Sequence, residues 1–309
     1  MAVVDWLMDS DPAIRWQVMR DLLGSDDEAV AAERARIADE GWGARLLALQ
    51  DADGQWAGGT YFPPVSREPE DQPWTATAFT LQLLRQFGID PGDERVRRAV
   101  ALVRENSRWE YDGSRFFDGE VEPCINGMTV AIGAYFGEDV TGIVERLLTE
   151  TLDDGGWNCE AEFGSTRSSF NSTISVLEGL LEYETRMGAS PEITTARERA
   201  HAYLLDRHLM RRLSTGEIVD DRWLRFSFPV RWHYDVLRSL DYLRAAGVTP
   251  DDRLAEAIDL VESKRQADGT WLLDHTHQGA VHFELDDGDG RPSRWNTLRA
   301  LRVLEWYRA

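Results

Sequence analysis

The sequence has few cysteines, a single lysine and no long apolar run. Its two cysteines, Cys124 and Cys159, are too few for a disulfide framework in 309 residues. Because Lys264 is the one lysine, we do not expect catalysis through a lysine Schiff base. Met1–Leu7 is interrupted by Asp5, and no segment has the length of a signal sequence or a membrane span. We therefore expect a soluble, cytoplasmic protein without a membrane span.

Positive charge is also scarce relative to negative charge. The chain has 55 acidic residues against 34 lysines and arginines, and its formal net charge is −21 at pH 7. Binding to a nucleic-acid backbone requires a basic surface, so we expect no nucleic-acid partner. The acidic residues gather in turns and on polar helical faces, where solvation is their ordinary role. The oligomeric state stays open.

A turn that ends in Gly-x-Trp recurs along the chain. Clear copies occupy residues 50–56, 153–157 and 266–271, and degenerate copies occupy 111–116 and 214–218. The glycines of successive copies are 42 to 61 residues apart. A repeat of this length indicates an array of helical hairpins that bury their apolar faces against one another. We expect the tryptophan and glutamine of each turn to brace one hairpin against the next.

Apolar residues at helical spacing define the hairpins. Six apolar runs are Pro12–Leu23, Trp74–Phe87, Cys124–Phe136, Asn171–Arg186, Arg231–Ala245 and Trp295–Tyr307. Five more polar runs lie between them, at Glu28–Gln50, Glu94–Asn106, Asp139–Leu152, Glu192–Leu209 and Asp252–Gln266. The pattern predicts an all-α fold in which residues 1–309 form a single α/α toroid of about six inner and five outer helices. The inner helices would be parallel, with a central aromatic pocket opening at their N-terminal ends.

The repeated turn resembles the Gln…Gly-x-Trp signature of the terpenoid cyclase and protein prenyltransferase superfamily, which includes the squalene cyclases. The copies that end at Trp56 and Trp271 match it fully, whereas the copy at Trp157 lacks the glutamine. The resemblance covers essentially the whole chain. It implies an α/α ring that handles an isoprenoid.

Within this superfamily, class II cyclases place Asp-x-Asp-Asp before an inner helix, and the middle aspartate protonates an alkene or epoxide. The nearest segment here is Glu120-Val121-Glu122-Pro123-Cys124, in which the resemblance gives Glu122 the place of the acid. Glutamates replace two of the aspartates, and Pro123 replaces the last. A helix N-terminal acid that only complements the helix dipole is the alternative.

Protein prenyltransferases instead hold Zn²⁺ with Asp-x-Cys at one inner helix start and a histidine in the next repeat. Glu122-Pro123-Cys124 is similar in spacing and place, but residues 169–173 contain no histidine, and His233 lies one repeat further on. Zinc requires at least three well-placed ligands. The sequence therefore predicts no cofactor, with zinc as the alternative and a buried structural role for Cys124.

Three of the apolar helices begin with an Arg-Trp pair. Arginines at converging helix N-termini suit a phosphate or carboxylate ligand, whereas the alternative is ion pairing with neighbours, such as Arg231 with Asp235. The predicted ligand-binding residues are Arg15, Trp16, Trp74, Asn126, Asn171, Arg231, Trp232, Arg294 and Trp295. The predicted catalytic residues are Glu122, Glu120, His233 and Asp235.

The last loop contains a His-x-His pair with a third histidine five residues on. This spacing is compatible with a metal but is typical of no particular one. The weak metal-ligand candidates are Cys124, His233, His275, His277 and His282.

These patterns favour an isoprenoid-handling enzyme similar to a single-domain squalene or terpenoid cyclase. Chemistry would start from an acid at Glu122, in an aromatic pocket that receives a small apolar or amphiphilic substrate. Three alternatives stay open: a zinc-dependent prenyltransferase-like enzyme, a sugar-active hydrolase or lyase with paired carboxylates, and a non-catalytic protein that binds an anionic apolar ligand.

Overall fold

A computed structural model describes residues 3–62 and 74–309, and within them the chain is mostly helical. The α-helices are α1 Val3–Met8, α2 Pro12–Asp21, α3 Asp27–Ala35, α4 Gly41–Ala48, α5 Thr77–Phe87, α6 Glu94–Asn106, α7 Pro123–Phe136, α8 Thr141–Thr149, α9 Phe170–Met187, α10 Pro191–Leu205, α11 Val236–Ala245, α12 Ala255–Ser263 and α13 Arg294–Arg308. Short 3₁₀ helices occupy Arg36–Ala38, Phe116–Asp118, Cys159–Phe163, Asp221–Leu224 and Asp252–Leu254. The strands β1 Trp271–Leu272 and β2 Pro292–Ser293 pair in antiparallel fashion.

The prediction of an all-α fold is confirmed, and the six apolar runs correspond to α2, α5, α7, α9, α11 and α13, called here the core helices. Several boundaries differ from the sequence expectation, and two of these differences have a clear physical cause. Helix α11 begins at Val236 rather than Arg231, because Asp235 caps it by accepting the Arg238 backbone N–H at 2.6 Å. The run predicted over residues 28–50 is divided in two, with a break at Gly41, whose φ of +69° belongs to the left-handed region.

Each clear Gly-x-Trp turn ties a polar helix to the following core helix through the same two hydrogen bonds. The three tryptophans are completely buried. Their indole N–H groups donate to carbonyls ten residues earlier, as in Trp56 to Leu46 at 2.8 Å, Trp157 to Leu147 at 2.7 Å and Trp271 to Val261 at 2.7 Å. Their backbone N–H groups donate to threonine hydroxyls of the next core helix, namely Thr77, Thr173 and Thr297.

The glutamines of the turns do not act alike. The Gln50 side chain donates to Gly54 O at 2.8 Å and to Ala99 O on α6 at 3.0 Å, so it joins two hairpins. The Gln266 side chain donates to Lys264 O within its own turn. Bracing by glutamine therefore applies to the first copy, whereas the tryptophan contact is common to all three.

Helices α7 and α9 form the closest pairing of core helices. A Cβ atom added at Gly127 would lie 2.5 Å from Ser175 O, and one added at Gly179 would lie 2.3 Å from Gly127 O. Only glycine permits this approach of the two backbones. The pairing sets the position of both helix N-termini, which carry the site described below.

The last core helix contacts the first. The Arg302 side chain on α13 donates to Gln17 Oε1 at 3.0 Å and pairs with Asp21 at 3.1 Å, both on α2. The same guanidinium pairs with Asp241 on α11. Contacts between core helices thus continue from the C-terminal part of the chain back to its beginning.

None of the helices within residues 3–62 and 74–309 combines the length and apolarity that crossing a membrane requires.

Candidate functional site

The N-terminus of α7 is held in place by a compact set of polar contacts. Glu122 is the N-cap residue, and its backbone N–H donates to Glu120 Oε2 at 2.8 Å. The buried Asn126 side chain accepts from Glu120 N and donates to Glu120 O, both at 2.7 Å. Burial raises the pKa of the Glu120 carboxyl. Asn126, predicted to bind a ligand, is therefore occupied in shaping this turn.

Cys159 joins the two residues that the sequence singled out at this helix start. Its sulfur lies 3.0 Å from Cys124 Sγ, and Cys124 Sγ lies 3.5 Å from Glu122 Oε2. One ligand-type atom of each of these residues lies within 4.8 Å of the others, and all three side chains are partly buried. We call Glu122, Cys124 and Cys159 the thiol cluster.

The pKa values of the two thiols in the cluster shift in opposite directions. Their mutual hydrogen bond lowers the pKa of Cys159, and the hydroxyl of Ser172 at 3.3 Å acts in the same direction. The same contact, together with burial, raises the pKa of Cys124 well above its ordinary value. Cys159 is therefore the first to become a thiolate, the form that attacks electrophiles and binds metals.

A buried arginine lies beside the thiol cluster. Arg231 and Cys124 line the same small cavity, together with Tyr61 and Trp232. Arg231 is 4% exposed, and burial lowers its pKa to about 9. Its guanidinium lies 5.2 Å from the ring centre of Trp74, and within the described residues it has no hydrogen bond and no carboxylate within ion-pair distance. The arrangement offers a buried cation to an anionic group.

The predicted pairing of Arg231 with Asp235 is absent. Asp235 instead caps α11 and lies 3.8 Å from Arg299, and burial raises its pKa. Asn171 accepts the Tyr234 backbone N–H at 2.7 Å. Asp235 and Asn171 thus both hold the segment around Arg231.

The other two arginines of the Arg-Trp pairs are engaged elsewhere. Arg15 pairs with Glu33 at 2.5 Å. Arg294 donates to the carbonyl of Trp6 and lies 4.5 Å from the centre of its ring. Arg15 thus makes the ion pair that the alternative describes, whereas Arg294 contacts a backbone carbonyl and an aromatic ring.

Three histidines assemble near Trp74, but their nitrogens do not converge as metal ligands. The rings of His233 and His277 stack at 3.8 Å, and His275 meets His277 edge-on at 4.7 Å. His282 is separate, with its Nε2 2.9 Å from Thr80 Oγ1. Burial lowers the pKa of His233 and His282 to about 4, so both are neutral at pH 7. Among the described residues, the thiol cluster is the set with metal-ligand spacing.

The largest cavity described lies among the core helices. It has a volume of about 610 Å³ and is lined mainly by the middle and C-terminal halves of the core helices. The predicted opening of a pocket at the N-terminal ends stays a prediction, since this lining includes Arg238 and Trp295 in the first turns of α11 and α13. Trp16 and Trp295, both predicted to bind a ligand, line this cavity.

Two of the carboxylates that line the cavity, Glu178 and Asp241, are held as anions. Glu178 accepts two hydrogen bonds from Arg238, at 2.8 and 2.7 Å, and Asp241 is paired with Arg302. These arginines lower the pKa of both carboxyls. A glycosidase-type pair needs one carboxyl that stays protonated, so these residues do not support the sugar-hydrolase alternative.

The chain was compared with known proteins. No protein-family model and no curated protein sequence matches it. Among solved structures, it is similar to the type II terpene cyclase MstE from Scytonema in its apo form, with 14% sequence identity and a TM-score of 0.39. The alignment covers 88% of this chain and 96% of that chain. Similarity at this level assigns no activity to the chain. Any functional proposal must therefore rest on the residues of the site.

Proposed function

We propose that this protein is a single-domain α/α toroid that binds zinc at Glu122, Cys124 and Cys159 and acts on a small amphiphilic, isoprenoid-like substrate. The toroid is supported by the contacts that join α13 to α2. The isoprenoid class rests on the resemblance of the repeated turns. The thiol cluster favours the zinc-dependent alternative over the acid-initiated one.

The observation that carries the proposal is the spacing of the three side chains. Two sulfurs and a carboxylate oxygen within 4.8 Å form a donor set that suits zinc. Three protein ligands leave a coordination position open, as catalytic zinc sites do. Ser172, 3.3 Å from Cys159 Sγ, would orient that ligand from outside the coordination sphere. Metal binding would displace the thiol protons, and that of Cys159 leaves most readily.

When bound, zinc would lower the pKa of a water or thiol in the open position and so provide a nucleophile near neutral pH. The chain's own residues would do the rest. Arg231 would attract an anionic group of the substrate, and the lining of the cavity that it shares with Cys124, about 10 Å³ in volume, would have to move apart to admit that group. Trp232 and Tyr61 line the same cavity and would contact the apolar part.

The acid-initiated hypothesis uses the same glutamate in a different way. Glu122 would donate a proton to an alkene, which requires a protonated carboxyl in a dry site. In the described residues Cys124, and not Glu122, lines the adjacent cavity. Metal content separates the two hypotheses, because proton donation needs no zinc.

The test is metal binding by the full-length protein under reducing conditions. We expect about one zinc per chain by elemental analysis, and with cobalt a thiolate-to-metal charge-transfer band. Cys159→Ser and Cys124→Ser should each weaken that band by at least half, because one of the two thiolates is lost. Glu160→Gln, at an exposed acid beside Cys159, should leave it unchanged. Protein that remains folded and takes up neither metal would refute the proposal.

A further inference from the structure

We propose that the large cavity among the core helices is a second ligand site, which binds a small molecule with at least two negative charges and an apolar part. It is separate from the thiol cluster and does not depend on the function proposed for that cluster. The inference rests on the charge balance of the lining, on a buried arginine that is incompletely paired, on the aromatic walls, and on the shape of the opening.

The cavity lining is cationic in a protein that is otherwise strongly acidic. The lining contains eight arginines and four carboxylates, and Asp21 and Asp235 pair with three of these arginines from outside the lining. An excess of two positive charges remains, in a chain with a net charge of −21. The arginines are Arg20, Arg34, Arg85, Arg186, Arg238, Arg244, Arg299 and Arg302. Concentrating this many cations around one hollow is costly unless an anion offsets their repulsion.

Arg299, in the floor of the cavity, is buried with incomplete neutralisation. Its side chain is 5% exposed, and the nearest oxygens of its carboxylate neighbours, Asp235 and Asp241, are both 3.8 Å away. Its Nη1 donates to the carbonyl of Ser227 at 3.1 Å. Burial lowers its pKa, which reports a charge that the surrounding groups do not fully stabilise. An anion in the cavity would supply the missing countercharge.

Aromatic walls also belong to this cavity. Trp295 is 2% exposed, and its indole N–H has no hydrogen-bond partner among the described residues. Its ring stacks on Phe228 at 4.2 Å, and Trp16, Tyr135 and Tyr242 line the walls. The Trp295 nitrogen has almost no accessible surface and therefore does not face the cavity, whereas the rings suit the apolar part of a ligand.

The cavity is open to solvent at one side. Asp27, Thr185 and Ala245, which also line it, are exposed, whereas Arg238, Trp295 and Arg299 at the other side are buried. A ligand can therefore enter past the helix C-termini and place its charges at the buried arginines. A volume of about 610 Å³ accommodates a small organic anion.

The experiment is calorimetric titration of the full chain with three probes: phenyl phosphate, inorganic phosphate and phthalate. We expect phenyl phosphate to bind more tightly than inorganic phosphate, and binding to weaken as salt rises. Binding of phthalate at comparable affinity would indicate that carboxylates are accepted, and its failure to bind would indicate a preference for phosphates. Inorganic phosphate that binds as tightly as phenyl phosphate would refute the apolar part of the proposal.

Two variants and a control locate the site. Arg85→Met should weaken phenyl phosphate binding by about tenfold, and its carboxylate partner Glu182 keeps Arg186 at 3.1 Å, so no buried charge is left unpaired. Trp295→Phe replaces the indole with a smaller aromatic ring in the lining, and a smaller loss is expected. Arg104→Met, on α6, removes a surface ion pair with Glu138 and should leave phenyl phosphate binding unchanged. Absence of binding by the wild-type protein, or an equal loss in Arg104→Met, would overturn the proposal. Cys159→Ser should bind as the wild type does, so the outcome is independent of the zinc test.

Discussion

The sulfur atoms of Cys124 and Cys159 lie 3.0 Å apart although the two residues are 35 positions apart in the chain. Cys124 belongs to the first turn of α7, and Cys159 begins the short helix that follows the Trp157 turn. The close packing of α7 on α9 and the tie from Trp157 to Thr173 bring the two segments together. The proposed zinc site thus depends on the repeat architecture as much as on the ligands themselves.

Glu122→Gln should weaken zinc retention, because the amide is a neutral and poorer ligand than the carboxylate. We expect a loss of about 10-fold or more in metal affinity, with thermal stability of the metal-free protein nearly unchanged. A competition titration with a chromogenic chelator measures the affinity. Glu120→Gln, in the same turn, is the matched control and should retain the metal more strongly than Glu122→Gln does.

The same variant tests the acid-initiated hypothesis. If Glu122 donates a proton to the substrate, Glu122→Gln loses turnover while metal content stays unchanged, because glutamine has no acidic proton to deliver. A fully active Glu122→Gln protein without bound metal would remove both mechanisms, and Arg231 and the neighbouring histidines would remain as candidates.

Gly127→Ala should destabilise the fold by about 1–3 kcal/mol, because the new methyl group would lie 2.5 Å from the backbone of α9 and force the two helices apart. Urea unfolding followed by circular dichroism measures the change. Gly142→Ala on α8 is the control: a Cβ there meets nothing within 4 Å, and alanine should stabilise the helix by up to about 1 kcal/mol. Equal stabilities of the two variants would contradict the proposed role of the glycine contact.

Trp157→Phe should lower the free energy of unfolding by about 1–3 kcal/mol, because it leaves the buried Leu147 carbonyl without its indole donor. The loss is measured as a shift in the midpoint of chemical denaturation, provided that the dependence of the unfolding free energy on denaturant concentration is unchanged. Tyr111→Phe, at a side chain that is 73% exposed, should leave the midpoint unchanged. Because the turn is repeated, Trp56→Phe and Trp271→Phe should show losses of the same order.

Stability should fall as the pH is lowered from 6.5 towards 4. Burial lowers the pKa of His233 and His282 from 6.5 to about 4, so in this interval the unfolded chain binds protons that the folded chain does not. Above pH 6.5 both histidines are neutral in the folded and in the unfolded chain, so their contribution to stability no longer changes with pH. His282→Asn should flatten the pH dependence of the unfolding free energy in this window. A pH dependence identical to that of the wild type would show that His282 is not buried as a neutral ring.

The helices and the turns could be predicted from the sequence because both are local. Apolar spacing and N-terminal prolines located the six core helices, and the buried side chains of Trp56, Trp157 and Trp271 follow from their repeated context. Where a break depends on a distant side chain, the prediction failed. The split near Gly41 is one case, since the Asp11 carboxylate accepts the Trp42 backbone N–H at 2.7 Å from another helix.

The sites depended on tertiary structure to different degrees. Glu122 and Cys124 are neighbours in sequence at a recognisable helix start, so the sequence was sufficient to single them out. Cys159 was missed as a ligand, and its position directly after a Gly-x-Trp turn was the one available signal. The cationic cavity gave no local signal, because its arginines lie on several helices, each of which reads as an ordinary amphipathic segment.

The sequence by itself determined that this is a repeating helical protein with an acidic surface and a Glu-x-Cys helix start, because periodicity, turn chemistry and charge are properties of short segments. Only the tertiary structure decided that Cys159 meets Cys124, that Arg231 is buried with no carboxylate within ion-pair distance among the described residues, and that a cavity of about 610 Å³ lies among the core helices. The physical reason is that helix approach sets these distances, and approach depends on contacts such as that of Gly127 with the α9 backbone.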